Sequence, residues 1–216
     1  MSGSVKHEDL LKGVSLMKNA TIRIQRDRTY YFDPYRVEGH SGDADFIFIT
    51  HSHGDHLSPE DIRKLTGKST TLIAPESCAG ALKDAGFADA FTVRPQNNYE
   101  INGLKFSTVP MYNIGKRFHG RESNWVGYVV HIDGAAYYFA GDTDVIPEMK
   151  DIEADVAFLP VGGTYTMNAR EAAEAAGLIR PKVAVPMHYA DVAGSPEDGN
   201  IFIRELDKTI AGVLLK

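Results

Sequence analysis

The sequence predicts an α/β protein built on mixed β-sheets, and three observations carry that expectation. Short runs of β-branched and aromatic residues recur along the whole chain, capped helical segments fall between them, and two long strands meet at Asp133-Gly134. An Asp-Gly pair tolerates the positive φ that both central residues of a tight hairpin need, so antiparallel pairing must coexist with strand-helix-strand crossovers. At 216 residues and 43% hydrophobic composition the chain supports one sizeable core, and a single domain over 1–216 is expected.

Taken in order, "TIRIQ" (Thr21 to Gln25), "TYYFD" (Thr29 to Asp33), "DFIFIT" (Asp45 to Thr50) and "TTLIA" (Thr70 to Ala74) read as strands, with "FIFI" apolar enough to be buried on both faces. Ser58 caps a helix that starts at Pro59 and carries Glu60 and Asp61 in its first turn, where the helix dipole favours acids. Glu76 to Gly86 is a second helix, ended by its glycine. "LKFSTVPMY", the Asp133-Gly134 hairpin arms, "DVAFLPV" and "KVAVPMHY" are further strands. Asn168 and Glu171 form a capping-box pair opening "AREAAEAAGLI", which must stop before Pro181. A last helix lies in "EDGNIFIRELDKT", starting around Asp198 to Asn200.

Composition excludes several function classes. Lys and Arg number 23 against 29 Asp and Glu, a formal net charge of −6, so no nucleic-acid partner is expected and any anion binding must be local. No apolar run reaches the roughly 20 residues of a membrane span. One cysteine, Cys78, cannot make an intramolecular disulfide, and no signal-peptide core is apparent near Met1, so a cytoplasmic location is expected.

The chemistry concentrates in "FIFITHSHGDHLSPED", Phe46 to Asp61, which holds three of the eight histidines. Two residues apart on extended chain, His51 and His53 face one ion, and after Gly54 the chain can turn Asp55 and His56 toward a neighbouring position. Imidazole and carboxylate suit zinc, with manganese or iron as alternatives. Further ligands must come from distant sequence. His188 ends a buried strand, His119 lies in the irregular "NIGKRFHGRESN", and Asp142 follows a strand in "AGDTD". His7, His40 and His131 lie in polar or mid-strand surroundings and are expected to stay out of the site. A histidine-rich turn arising from composition alone is the competing explanation, and the strand-then-capped-helix context argues against it.

"THSHGDH" after a buried strand, then "FHG", "AGDTD" and "PMHY" in that order, resemble the metallo-β-lactamase-fold hydrolases over nearly the whole chain. The surrounding "VPMYNIGKRFHG", "GDTDVIPEM" and "LPVGGTYTM" look more like the small cytosolic metal-dependent hydrolases near ascorbate-6-phosphate lactonase and N-acylphosphatidylethanolamine phospholipase D. The resemblance implies a four-layer αββα sandwich with two divalent metal ions at one edge. His51, His53 and His119 would hold the first ion, Asp55, His56 and His188 the second, and Asp142 would bridge them. Histidine at position 53, where flavodiiron relatives typically carry glutamate, points to hydrolysis, and Asp142 stands where lactamases commonly place cysteine. Nuclease branches often carry insertions for which this chain has little room.

The implied reaction uses a metal-bridging hydroxide as nucleophile on a small, anionic substrate, with Asp55 able to share in proton transfer and His188 and Tyr189 near the developing charge. Lys116, Arg117 and Arg121 flank His119 and are candidate phosphate contacts. Phosphodiester or phosphorylated-lactone hydrolysis leads, with carboxylic ester or thioester hydrolysis as the alternative and a non-catalytic metal-binding protein as the reading from another class. "GGTYTM" (Gly162 to Met167) is a tight strand-to-helix turn or an anion-binding loop, and Trp125 is expected to pack in the sheet or core.

Overall fold

The β-branched and aromatic runs assemble into two sheets. The structure, a computed structural model, describes residues 7–215. The first sheet holds β1 (Val14–Lys18), β2 (Thr21–Gln25), β3 (Thr29–Phe32), β4 (Ala44–Phe48), β5 (Thr66–Pro75) and β6 (Phe91–Val93) in that spatial order. The second holds β7 (Asn98–Ile101), β8 (Leu104–Pro110), β9 (Val126–Ile132), β10 (Ala135–Phe139), β11 (Val156–Pro160), β12 (Val183–Met187) and β13 (Ala211–Gly212), again each beside the next. Both sheets are mixed. Pairing is antiparallel from β1 to β3 and from β7 to β10, then parallel from β3 to β6 and from β10 to β13.

Side-chain alternation fixes the layers. On β4, Phe46 and Phe48 join the core between the sheets, while Ile47 joins a second cluster on the outer face, so the strand is buried on both sides as its apolar run predicts. That outer cluster is closed by Ile62 and Leu65 of α2 (Pro59–Leu65) and Leu82 of α3 (Ala79–Asp84). Between the sheets, Phe48 lies 4.9 Å from Phe32, 5.5 Å from Phe106 and 5.0 Å from Tyr128, ring centre to ring centre. Such offset and edge-on contacts add roughly 0.5–1.5 kcal/mol each beyond burial. The far face of the second sheet is covered by α4 (Ala169–Ile179), whose buried alanines allow close approach, and by Phe202 of α5 (Glu197–Glu205). The result is the αββα sandwich.

Local signals also landed. Ser58 caps α2 by accepting from the Asp61 N–H, and Asn168 with Glu171 forms the capping box of α4. Asp133 and Gly134 take φ of 50° and 78°, the paired positive values of the hairpin turn. The segment expected to be one helix over Glu76 to Gly86 is instead a 3-10 turn, Glu76–Cys78, followed by α3. Its Ala79 N–H bonds back to Glu76, a tighter first turn that leads the chain away from Pro75 and buries Cys78. α1 (His7–Leu11) and the strands β1, β6, β7 and β13 have no counterpart in the sequence reading.

Burial pushes the Cys78 thiol up to about 12, so its thiolate is scarce and shielded. Ellman's reagent is expected to label Cys78 in native protein only as fast as the chain opens, and within seconds in denaturant. Rapid native labelling would show that the α2–α3 layer opens easily. Among the described residues no helix is long and apolar enough to cross a membrane.

Candidate metal centre

Five strand ends deliver the site residues to one edge of the sandwich. The loop after β4 carries His51, His53, Asp55 and His56; the loops after β8, β10 and β12 carry His119, Asp142 and His188; and Asp33 follows β3. Asp142 depends on its neighbour. Gly141 sits at φ +64°, and a Cβ there would lie 2.5 Å from Met111 Sδ and 3.0 Å from Thr50 Cβ, so only glycine fits. His188 itself takes a left-handed φ of 53° and is held there by its N–H, which donates to the Asn19 carbonyl.

The side chains meet in two groups. One ligand atom from each of His51, His53 and His119 lies within 4.8 Å of the others, and the same holds for Asp55, His56 and His188. Asp142 stands between them. Its Oδ1 is 3.4 Å from His56 Nε2, and its Oδ2 is 3.4 Å from His119 Nε2, 3.3 Å from His188 Nε2 and 4.0 Å from His51 Nε2. Atoms bound tetrahedrally at 2.0–2.1 Å from one ion stand about 3.3 Å apart, the spacing seen across much of the cluster. His56 Nε2, His119 Nε2, His188 Nε2 and Asp142 Oδ1 are all buried without a hydrogen-bond partner. Orphaned buried atoms are costly unless something else satisfies them, and four converging on one space fit a cation. His7, His40 and His131 are exposed and apart from the cluster.

The other ring nitrogens of His51, His56 and His119 are fixed from behind, whereas His188 Nδ1 is buried without a partner. His51 Nδ1 lies 2.9 Å from Thr50 Oγ1, and His119 Nδ1 faces Asn113 Oδ1 at 2.9 Å and the Tyr165 carbonyl at 3.2 Å. His56 Nδ1 donates to Asp33 Oδ2 at 2.7 Å, and the same carboxylate accepts from the Thr50 N–H and hydroxyl. Asp33 can also be grouped with His51 and His56 by distance. Its oxygens are already taken up by Thr50 and by the Nδ1 side of His56, which makes it a support for the loop. Asn19 plays a similar part on the other side, donating from Nδ2 to Asp55 Oδ2 at 3.0 Å. Neither residue was singled out in the sequence; an acid at the end of the buried run "TYYFD" was the signal available for Asp33.

Electrostatics favour the ligand protonation state at His51, His119, Asp55 and Asp142, and oppose it at His56 while no cation is present. Burial lowers the pKa of His51 and takes His119 down to about 4, which keeps both rings neutral at pH 7. Asp142 and Asp55 are buried, which alone would raise them, yet the surrounding imidazoles, His188 and His56 above all, hold both well below the usual carboxylate range. On His56 burial also opposes charge and is outweighed by Asp142 and Asp33, so its pKa rises. For His119 the unfolded pKa is about 6.5, so below that pH the unfolded chain takes up a proton that the fold refuses until about 4. Its contribution to stability is therefore complete above pH 6.5 and lost as pH falls toward 4. Metal-free protein is expected to show a lower urea midpoint at pH 5 than at pH 7, with a smaller difference in His119→Gln; an equal difference would remove His119 as the cause.

Trp125, expected in the sheet or core, is at the site instead. Its ring is 5.0 Å from both His51 and His53 and 5.6 Å from His119, centre to centre. Three of the four expected substrate contacts point elsewhere. Lys116 bonds to the Asp144 carboxylate and the Thr166 carbonyl. Arg121 pairs with Glu148 at 2.9 Å and covers the Tyr112 ring. Tyr189 turns its hydroxyl end against Gly199 of α5. Arg117 remains exposed. In the "GGTYTM" turn the Gly163 and Thr166 amides bond within the turn and that of Met167 to the Thr143 carbonyl, while Gly162 allows close approach of the His188 carbonyl. Those amides are spent on the turn.

The chain is similar to known proteins along most of its length. A family model described as a beta-lactamase superfamily domain matches residues 18–189. A UPF0173 metal-dependent hydrolase of Methanopyrus kandleri is 35% identical over 175 residues, covering 77% of this chain and 75% of the relative. Another, of Thermococcus onnurineus, is 34% identical over 201 residues, covering 86% and 89%. Among solved structures, the metallo hydrolase Igni18 of Ignicoccus hospitalis superimposes with a TM-score of 0.76 at 23% identity, covering 94% of each chain, a likeness of fold.

Proposed function

The chain belongs to the beta-lactamase superfamily, among its metal-dependent hydrolases, and from that premise we propose that it hydrolyses a small molecule at a dinuclear centre. In this reading His51, His53 and His119 would hold one divalent cation and Asp55, His56 and His188 the other, with Asp142 available to both and zinc ahead of manganese or iron for this donor set. The observation that carries it is the convergence of unpartnered Nε2 atoms of His56, His119 and His188 on the Asp142 carboxylate. Bound there, two dications would supply Lewis acidity and lower the pKa of a held water from about 15.7 toward about 7.

The chain's own part is positioning and proton handling. Thr50, Asp33 and Asn113 fix which nitrogen His51, His56 and His119 present. Asp55, kept ionised and oriented by Asn19, is the carboxylate available to accept a proton at the partly exposed side of the site. With Lys116 and Arg121 committed to Asp144 and Glu148, carboxylic ester hydrolysis moves ahead of phosphodiester and phosphorylated-lactone hydrolysis. A cytoplasmic location and a single hydrolase domain complete the proposal.

Trp125 is the only tryptophan of the chain, so its emission reports on the site directly. Titrating zinc into chelator-treated protein is expected to change Trp125 emission up to two equivalents and to bring on hydrolysis of p-nitrophenyl acetate, with bis(p-nitrophenyl) phosphate cleaved more slowly. Two bound metals with neither compound cleaved would sink the hydrolytic reading.

A further inference from the structure

The candidate metal centre opens into a cavity of about 180 Å³, lined by five of the candidate ligands and by Phe118, Tyr165 and Val192. None of the lining residues is a lysine or arginine. Phe118 and Val192 are 46% and 40% exposed, large apolar side chains left open to water at the mouth of a cavity that reaches the cluster. A lone exposed apolar residue needs no explanation, whereas two of them with an aromatic partner around a concave site form a recognition surface. Phe118 meets Tyr165 edge to face at 4.7 Å, so the wall is a packed unit.

The wall is also tied to the chemistry. Phe118 immediately precedes His119, and the carbonyl of Tyr165 faces His119 Nδ1. A group resting on the Phe118–Tyr165 wall is thereby held at a fixed distance from the cluster. Metal ions and their water would take part of the cavity volume, so the space left against the wall suits a group no larger than a single ring, part of which can extend past the half-open Phe118 and Val192.

Charge points the same way. Two dications, Asp55, Asp142 and one hydroxide make a site of about +1, which would draw anions, but Asp33 is buried directly behind His56 and brings the formal count to about zero. Lys116 and Arg121 are neutralised by their own partners.

Resting on the hydrolytic reading above, we propose that the substrate is an uncharged carboxylic ester or lactone whose alcohol-side group is a single aromatic ring or an alkyl chain of similar size, seated on Phe118, Tyr165 and Val192. In the reaction a water oxygen adds to the carbonyl carbon and the carbon–oxygen bond to the leaving alcohol breaks. The leaving oxygen gains a proton and the product acid loses one, so no redox partner is needed.

The test compares zinc-loaded wild type with Phe118→Ala and Phe118→Leu on phenyl acetate, methyl acetate and methyl p-nitrophenyl phosphate, and measures phenol binding through Trp125 emission. Wild type is expected to prefer phenyl acetate to the other two. Phe118→Ala is expected to cut the phenyl-to-methyl acetate preference in kcat/KM roughly tenfold, mainly through KM, and to weaken phenol binding similarly, with Phe118→Leu recovering much of both. An unchanged preference in Phe118→Ala, or a wild-type preference for the phosphodiester, would overturn the proposal while leaving the hydrolase standing. If two metals bind and nothing turns over, the hydrolytic reading fails, and phenol binding alone then decides: dependence on Phe118 supports the apolar seat and independence removes it.

Discussion

Replacing Asp142 with alanine is expected to leave at most one tightly bound metal per chain and to lower metal-dependent turnover by roughly 10³-fold. The carboxylate is 3% exposed and lies within 3.4 Å of His56, His119 and His188, from three different loops. Its two oxygens lie within reach of members of both ligand groups. In a dinuclear centre its removal would delete the negative charge between two dications, leave their repulsion uncompensated and release one ion first. A Lewis acid contributes several kcal/mol of transition-state stabilisation, and each 1.4 kcal/mol is a factor of about ten, which gives the expected scale. Metal content by atomic emission, taken with turnover on the same samples, checks both halves. Two metals retained with unchanged turnover would show that Asp142 is not the shared ligand. Loss of activity with both metals retained would confine its role to the reaction itself.

How much of this was legible beforehand depended on the kind of signal each residue leaves. Strands buried on both faces announce themselves by apolar runs, and β4, β11 and β12 were found for that reason. β6, β7 and β13 are two to four residues long, and β1 is half-exposed, so none offers enough alternation to stand out from loop. The candidate ligands His51, His53, Asp55 and His56 were legible because four donors share six positions. His119, Asp142 and His188 stood out by their places at strand ends or in an irregular loop, and only the wider resemblance divided them between two ions. The orientation of a charged side chain leaves no trace in sequence. Lys116 and Arg121 read as a basic patch, and only the structure reveals Asp144 and Glu148 as their partners. Trp125 and Asp33 share this limit, because each acts through neighbours brought by other strands.

Asp33 supplies the second large effect, and its conservative variant is the more informative one. The carboxylate is fully buried, accepts from the Thr50 N–H at 2.8 Å and hydroxyl at 2.6 Å, and accepts from His56 Nδ1 at 2.7 Å. Asp33→Ala strands three buried polar groups at once, at about 1–3 kcal/mol each, so that variant threatens the fold itself. Asp33→Asn keeps the volume, and its carbonyl can still accept from the Thr50 N–H. Its amide then faces His56 Nδ1 as a donor. The imidazole must respond by carrying its proton on Nε2, the nitrogen directed at Asp55 and Asp142, and a protonated Nε2 cannot bind a metal. Asp33→Asn is therefore expected to weaken metal binding by roughly 10–100-fold while the metal-free protein still unfolds cooperatively. Competition with a calibrated chelator, read through Trp125 emission, measures the first, and a urea transition without metal measures the second. Wild-type metal affinity in a folded Asp33→Asn protein would mean that His56 does not use Nε2, and the second ligand group would have to be redrawn. Weakened affinity with an intact fold would show that the acid ending β3 selects which nitrogen His56 offers, so that this strand helps make the metal centre without touching the ion.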